Sequence, residues 1–188
     1  MLLLIIGLTI WTLAHLLRSH APKFRESLQS RFGNAAKGLI GVVILISLVM
    51  MIMGYREADL VQIWSPPYWL KYLNNLLMVI ALYMYFTTAT TPGTAFVFGN
   101  LKNPQLTGFK VWALAHLLVN GDLAAIILFG GLLAWAILQV VSSKRVESLV
   151  DRNTAPIKSP WIHLALVIVV FFFVSIAHHW LGKYPFAM

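Results

Sequence analysis

Apolar residues fall into five long runs separated by short polar segments: Leu2–Leu17, Leu39–Met53, Tyr68–Phe86, Leu123–Val141 and Trp161–Trp180. Each comes close to the ~20 residues a helix needs to cross the hydrocarbon of a bilayer. A sixth stretch, Phe109–Val119, admits two readings. Fused to the run that follows, residues 109–141 would make one helix about 50 Å long, well beyond a ~30 Å core. Fusion would also set Asp122 deep in lipid, at a cost of about 3 kcal/mol. Split at Asn120-Gly121-Asp122, the same residues give a short fourth span from Gln105 to Val119 and a fifth from Leu123. Gly121 would then take the left-handed conformation that ends one helix, and Asp122 would cap the next.

Between the first two runs, residues 18–37 predict an amphipathic surface helix. Phe24, Leu28 and Phe32 recur every four residues, while Lys23, Arg25 and Arg31 lie off that stripe. Ser65-Pro66-Pro67 and Thr91-Pro92-Gly93 read as turns. No internal repeat, low-complexity tract or soluble domain interrupts the pattern. The expectation is an all-α integral membrane protein. It would have one domain over residues 1–188 and a bundle of about six transmembrane helices, or five in the fused reading, plus the short surface helix.

Composition agrees: 60% of the 188 residues are hydrophobic and 11% charged, where a soluble domain is about a quarter charged. The net charge of +8 therefore reads as loop lysine and arginine on the cytoplasmic side rather than as a nucleic-acid surface. Charge also separates the two span counts. With six spans and the N-terminus outside, one face collects eleven basic residues, among them Arg18, Lys23, Arg25, Arg31 and Lys37, and the other holds Arg56, Lys71 and Lys183. Five spans would leave eight against six, so the positive-inside bias favours six. The first run lacks a basic n-region and is followed by Arg18-Ser19-His20, which makes it a retained span rather than a cleaved signal. The absence of cysteine excludes disulfides, iron–sulfur clusters, thiolate zinc and covalent c-type haem. No phosphate loop, serine elbow or HExxH signature is present.

The histidines are the candidate chemistry, because a polar ring in an apolar span faces the bundle interior and has a partner. His15 has Trp11 and Ser19 four residues away on either side, and His116 has Trp112 and Asn120, spacings that make neighbours on a helix. His178 and His179 close the last run; adjacent positions point about 100° apart, so one of them faces away. His20 and His163 are expected at the membrane interface. A plain reading of His15 and His116 is a neutral imidazole hydrogen-bonded to a carbonyl, Ser or Asn. The functional reading is axial ligation of non-covalent haem b, with Ala14, Ala113 and Ala115 as small flanking residues. Non-haem metal is disfavoured, because the spans offer almost no carboxylates. Asp122 reads as a helix cap before it reads as a proton carrier.

Several segments carry a resemblance. Ala14-His15-Leu16, Phe24-Arg25-Glu26, Arg31-Phe32-Gly33 and Gly54-Tyr55 resemble the start of the NnrU family. The run from Trp112 to Asp122 is similar to that family's most specific segment, and His178-His179-Trp180-Leu181-Gly182 with Pro185 to its C-terminal motif. The resemblance implies a multi-pass protein of the bacterial cytoplasmic (inner) membrane, associated with denitrification and nitric oxide metabolism. The family also includes the zeta-carotene isomerases, which hold haem b through histidines. Carried over, this implies His15 and His116 as axial iron ligands and His178 as a further polar site, with Trp112 and Asn120 beside them.

The chain departs from its relatives at two places. Lys102-Asn103-Pro104 stands where relatives carry Arg-His-Pro, which weakens a methyl-transfer reading. Ala113 stands where the plant isomerases have cysteine, which removes thiolate ligation. Depth poses a further question. Six spans put His15 about 4–5 Å from the basic face and His116 about 16 Å in, although one iron needs both at one level. Tilt of the first span or a later start of the fourth would reconcile them; otherwise His116 pairs with His178. The leading expectation is a haem-binding redox or gas-responsive membrane protein, with the lipid bilayer and a redox partner as its contacts. The alternatives are an isomerase-like enzyme acting on a lipophilic polyene, and a cofactor-free subunit of a membrane complex that docks through the second span.

Overall fold

The computed structural model describes residues 1–90, 103–143 and 160–182. Among them it contains seven helices: α1 (Leu2–His20), α2 (Pro22–Phe32), α3 (Ala35–Arg56), α4 (Leu70–Thr90), α5 (Pro104–Val119), α6 (Leu123–Ser143) and α7 (Pro160–Trp180). Lipid offers no hydrogen-bond partner to a bare backbone, so an apolar chain that crosses it closes its amides internally as helix. Every apolar run of the sequence is accordingly helical, but the amphipathic helix expected over residues 18–37 is shorter, α2 over Pro22–Phe32, with Arg18 in the last turn of α1 and Lys37 in α3. Four helices, Leu2–His20, Ala35–Arg56, Leu123–Ser142 and Trp161–Trp180, are long and apolar enough to cross a membrane. Leu70–Phe86 is a shorter apolar helix, and α5, with 16 residues, is shorter still. The protein is a multi-pass helical membrane protein in contact with lipid.

The chain sorts into two compact units, one formed by Met1–Ile63 with Asp122–Leu149 and the other by Trp64–Gly121 with Val150–Met188. In the first, α1 and α3 run antiparallel at close range. Gly7 lies against Ser47 and Met51, where an added Cβ would come within 2.9 Å of the Ser47 carbonyl and the Met51 amide; Gly54 abuts the backbone of Leu3 and Leu4. Small residues let backbones approach where no hydrophobic force between helices exists, since lipid is as apolar as leucine. Leu4, Ser47 and Met51 are fully buried in this seam, and the Ser47 hydroxyl is satisfied by the Ile44 carbonyl at 2.7 Å. The opposite face of α3, including Val42, Leu45, Ile46, Val49 and Ile52, is exposed and suited to acyl chains.

Helix α6 joins the same unit alongside α1. Leu8 meets Gly131, and further along both helices Trp11 and His15 meet Trp135, so α1 and α6 run parallel. Parallel directions require an odd number of crossings between the two, and six spans provide three, α3, α4 and α5. In the five-span arrangement α6 would run opposite to α1. The helix break at residues 120–122 is therefore real, and Asp122 caps α6 through a bond from the Ala125 amide to Oδ1 at 2.8 Å.

The turn differs from expectation in one respect. Gly33 and Gly182 are the positive-φ glycines among the described residues, so Gly121 does not end α5 in the left-handed region. Asn120 is extended instead (φ −121°, ψ 108°). In the first unit Gln62 pairs with Asp122 as an isolated antiparallel bridge, with the Leu123 amide donating to Val61 at 2.8 Å. In the second, the Trp64 amide donates to the Gly121 carbonyl at 3.1 Å. A paired extended segment has replaced a glycine cap.

The second unit contains α4, α5 and α7. Gly108 packs against Ala81, Met84 and Tyr85, while residue 64, ahead of α4, bonds to residue 121 beyond α5. These two fixed points make α4 and α5 antiparallel. Pro104 opens α5 at its first turn, where a missing amide costs nothing. The turn at Thr91-Pro92-Gly93 lies outside the described residues, as does Lys102.

Candidate functional site

The Nδ1 atoms of three histidines lie within hydrogen-bond distance of the carbonyl one turn back: His15 to Trp11 at 2.8 Å, His116 to Trp112 at 3.0 Å and His178 to Val174 at 2.8 Å. A carbonyl only accepts, so Nδ1 carries the proton and donates it. In the neutral ring, Nε2 then holds the lone pair and points away from its own helix. This is the arrangement a metal-ligating imidazole uses, with the second nitrogen tied to a carbonyl that fixes tautomer and ring orientation. The i−4 spacing comes directly from the helix.

The second unit brings four of the expected site residues together. The rings of His116 and His178 are 6.5 Å apart between centroids, inclined at 49°. Trp112 lies 4.8 Å from His116 on its own helix, and Phe109 extends that aromatic wall at 5.0 Å from Trp112. Asn120 donates its amide to the His116 carbonyl at 2.8 Å, so it secures the last turn of α5 rather than touching the ring. The faces at the end of α7 divide as expected: His178 is half-buried and His179 exposed.

His15 belongs to the first unit, where its ring is 4.2 Å from Trp11 and 4.8 Å edge-on from Trp135. Ser19, expected beside it, bonds instead to the Leu16 carbonyl at 3.2 Å and to His20 at 3.0 Å. His163, expected at the membrane interface, lies in the first turn of α7 and is 4% exposed, with Nε2 donating to the Tyr83 carbonyl at 3.1 Å and its ring edge-on to Tyr83 at 4.6 Å. That partner is 80 positions away, which no local pattern announces. Ala14, Ala113 and Ala115 are buried as packing contacts.

Two polar features escaped the sequence reading. Asn74 and Asn75 are adjacent on the apolar helix α4, with the Asn74 amide donating to Asn75 at 3.1 Å. The Asn74 Oδ1 is buried without a hydrogen-bond partner among the described residues. Counting eight positions along each antiparallel helix from the Gly108 contact, about 12 Å at 1.5 Å per residue, places Asn75 level with His116. On α6, Gln139 lies one turn beyond Trp135, and its Oε1, like Trp11 Nε1, is buried without a hydrogen-bond partner among the described residues. Amides inside apolar runs were the available signal.

The donors present are nitrogen lone pairs with aromatic walls. No three His, Asp or Glu side chains converge on one point among the described residues. Two imidazoles are the set that could hold a haem. With metal–nitrogen bonds near 2 Å, two rings opposite each other on one metal have centres about 6 Å apart, close to the 6.5 Å separating His116 from His178.

Fold and site together define a multi-pass α-helical membrane protein with oriented imidazoles set in its apolar helices. The family described as NnrU protein matches residues 3–185, and the chain belongs to the NnrU family. No curated protein and no solved structure matches it.

Proposed function

We propose that this NnrU-family protein binds haem b in the bacterial inner membrane and serves redox or nitric-oxide-related metabolism, the setting its family resemblance implies. His116 and His178 would hold the haem. The carrying observation is the 6.5 Å pair of rings, each with Nδ1 committed to a backbone carbonyl. Bound there, haem supplies a one-electron couple tuned by its axial ligands. The protein's part is to keep both rings in the ligating tautomer and, with Phe109 and Trp112, to line the site with apolar surface. The pairing expected first from the sequence, His15 with His116, is the competing ligand set.

Haem content per purified chain tests the reading, with His15→Ala, His116→Ala and His178→Ala compared against wild type in cells supplied with excess porphyrin. Wild type should carry haem, and removal of His116 or His178 should lower the content by more than roughly tenfold. Loss on removing His15 instead of His178 would move the second ligand to His15. A colourless wild type, or equal content in all four proteins, would reject haem binding by these residues.

A further inference from the structure

The corner between α1 and α2 presents a second kind of chemistry. From Arg18 to Lys37 the chain carries Arg18, Lys23, Arg25, Arg31 and Lys37 against one carboxylate, Glu26. No residue of α2 is buried, and its stripe of Phe24 and Phe32 is 55% and 51% exposed. An amphipathic helix with that stripe turned outward lies in the membrane interface, its apolar side toward the acyl boundary.

The other side of the helix is not flat. Arg18, at the end of α1, and Pro22, Arg25, Glu26, Gln29 and Ser30 line an open groove of about 570 Å³. On α2 these positions recur at three- and four-residue spacing, so they share one face, and its Arg25 edge, seven residues before Phe32, borders the Phe24–Phe32 stripe. One helix thus offers an acyl-facing side and a polar groove at the same depth, the two environments a phospholipid needs for its chains and its headgroup.

We infer that this groove is a headgroup site for an anionic phospholipid of the leaflet in which α2 lies. The guanidinium groups of Arg18 and Arg25 take the phosphodiester oxygens, for which a planar fork of donors is suited. Gln29 and Ser30 serve headgroup hydroxyls, and the acyl chains run along Phe24 and Phe32. The sign of the lipid follows from the charge balance. The segment carries five cations against one carboxylate, two of them lining the groove, so a net negative headgroup is favoured, whereas a headgroup ammonium finds Glu26 alone. The positive-inside bias puts the same corner on the cytoplasmic side, whose surface attracts basic segments where anionic lipid is present.

The test uses the full-length protein in mild detergent, titrated separately with phosphatidylglycerol, phosphatidylcholine and phosphatidylethanolamine, with retained lipid counted by native mass spectrometry. Wild type should retain phosphatidylglycerol in preference to both zwitterionic lipids. Arg18→Gln/Arg25→Gln should lower that preference roughly tenfold or more, while Lys71→Gln, a basic residue on the other unit, should leave it unchanged. Equal retention of the three lipids by wild type would overturn the inference without recourse to any variant. A double variant that keeps the wild-type preference would overturn it too, as would a Lys71→Gln variant that loses as much as the double one.

Discussion

One proton determines what each of the three aligned histidines offers. Because Nδ1 of His15, His116 and His178 is spent on the carbonyl of the preceding turn, the ring has one orientation, with the lone pair on Nε2. The aromatic neighbours of His15 and His116 were legible, since Trp11 and Trp112 stand at helical spacing. The partners of His163 and the level of Asn75 were not, because both depend on which helix packs where. Glycine gives a sharper residue-scale test. At Gly54 a methyl group would strike the backbone of Leu3 and Leu4, which no rotamer change relieves. Gly54→Ala should therefore cost roughly 1–3 kcal/mol, in the range of overpacked cores. Gly130, with nothing within 4 Å of an added Cβ, should accept alanine with no loss and a gain of up to about 1 kcal/mol from helix propensity. Thermal unfolding of the two variants in detergent would separate them; equal melting temperatures would mean that the α1–α3 seam is looser than this contact implies.

At the scale of the element, the break between α5 and α6 was legible because its cost was local. A fused helix would strand Asp122 in hydrocarbon, and a split one uses the same carboxylate as a cap. The manner of the break was not legible. Its extended backbone is held by Val61, Gln62 and Trp64, nearly sixty positions earlier, so Gly121 needs no left-handed conformation. The cap makes the next prediction. Asp122→Ala should lower stability by about 1 kcal/mol, whereas Asp122→Asn, which retains an acceptor, should lose little. Melting temperatures in the same detergent would decide it, and identical losses for both variants would show that the carboxylate acts by charge rather than by capping. Helix α2 was legible for a different reason: its basic residues and four-residue apolar spacing describe an interfacial helix without reference to any other element.

At the scale of the whole molecule, apolar runs predicted the helices but not how they are shared out. Chain order would group neighbours, yet α6 packs with α1 and α3, while α4 and α5 form part of the other unit with α7. Helix-to-helix preference depends on where small residues admit a neighbour, such as Gly108 at Ala81 and Gly131 at the Leu8 side chain, and a linear sequence does not say which pairs meet. The interleaving predicts how the protein tolerates shortening. A chain ending at residue 149 keeps every helix of the first unit and should persist in the membrane. One ending at residue 121 lacks α6 and should be degraded several times faster, a difference that pulse-chase labelling would measure. Equal half-lives would mean that α1 and α3 are stable without α6.

That interleaving also sets a timetable for biogenesis. The ribosome completes α3 long before it reaches the end of α6, and at 5–20 residues per second the interval is roughly 5–20 s. Throughout it, Trp11 and His15 have left the translocon without the tryptophan that will cover them. An insertase or a surrounding lipid must shelter that flank of α1 until Trp135 arrives, and slow codons in between would prolong the wait.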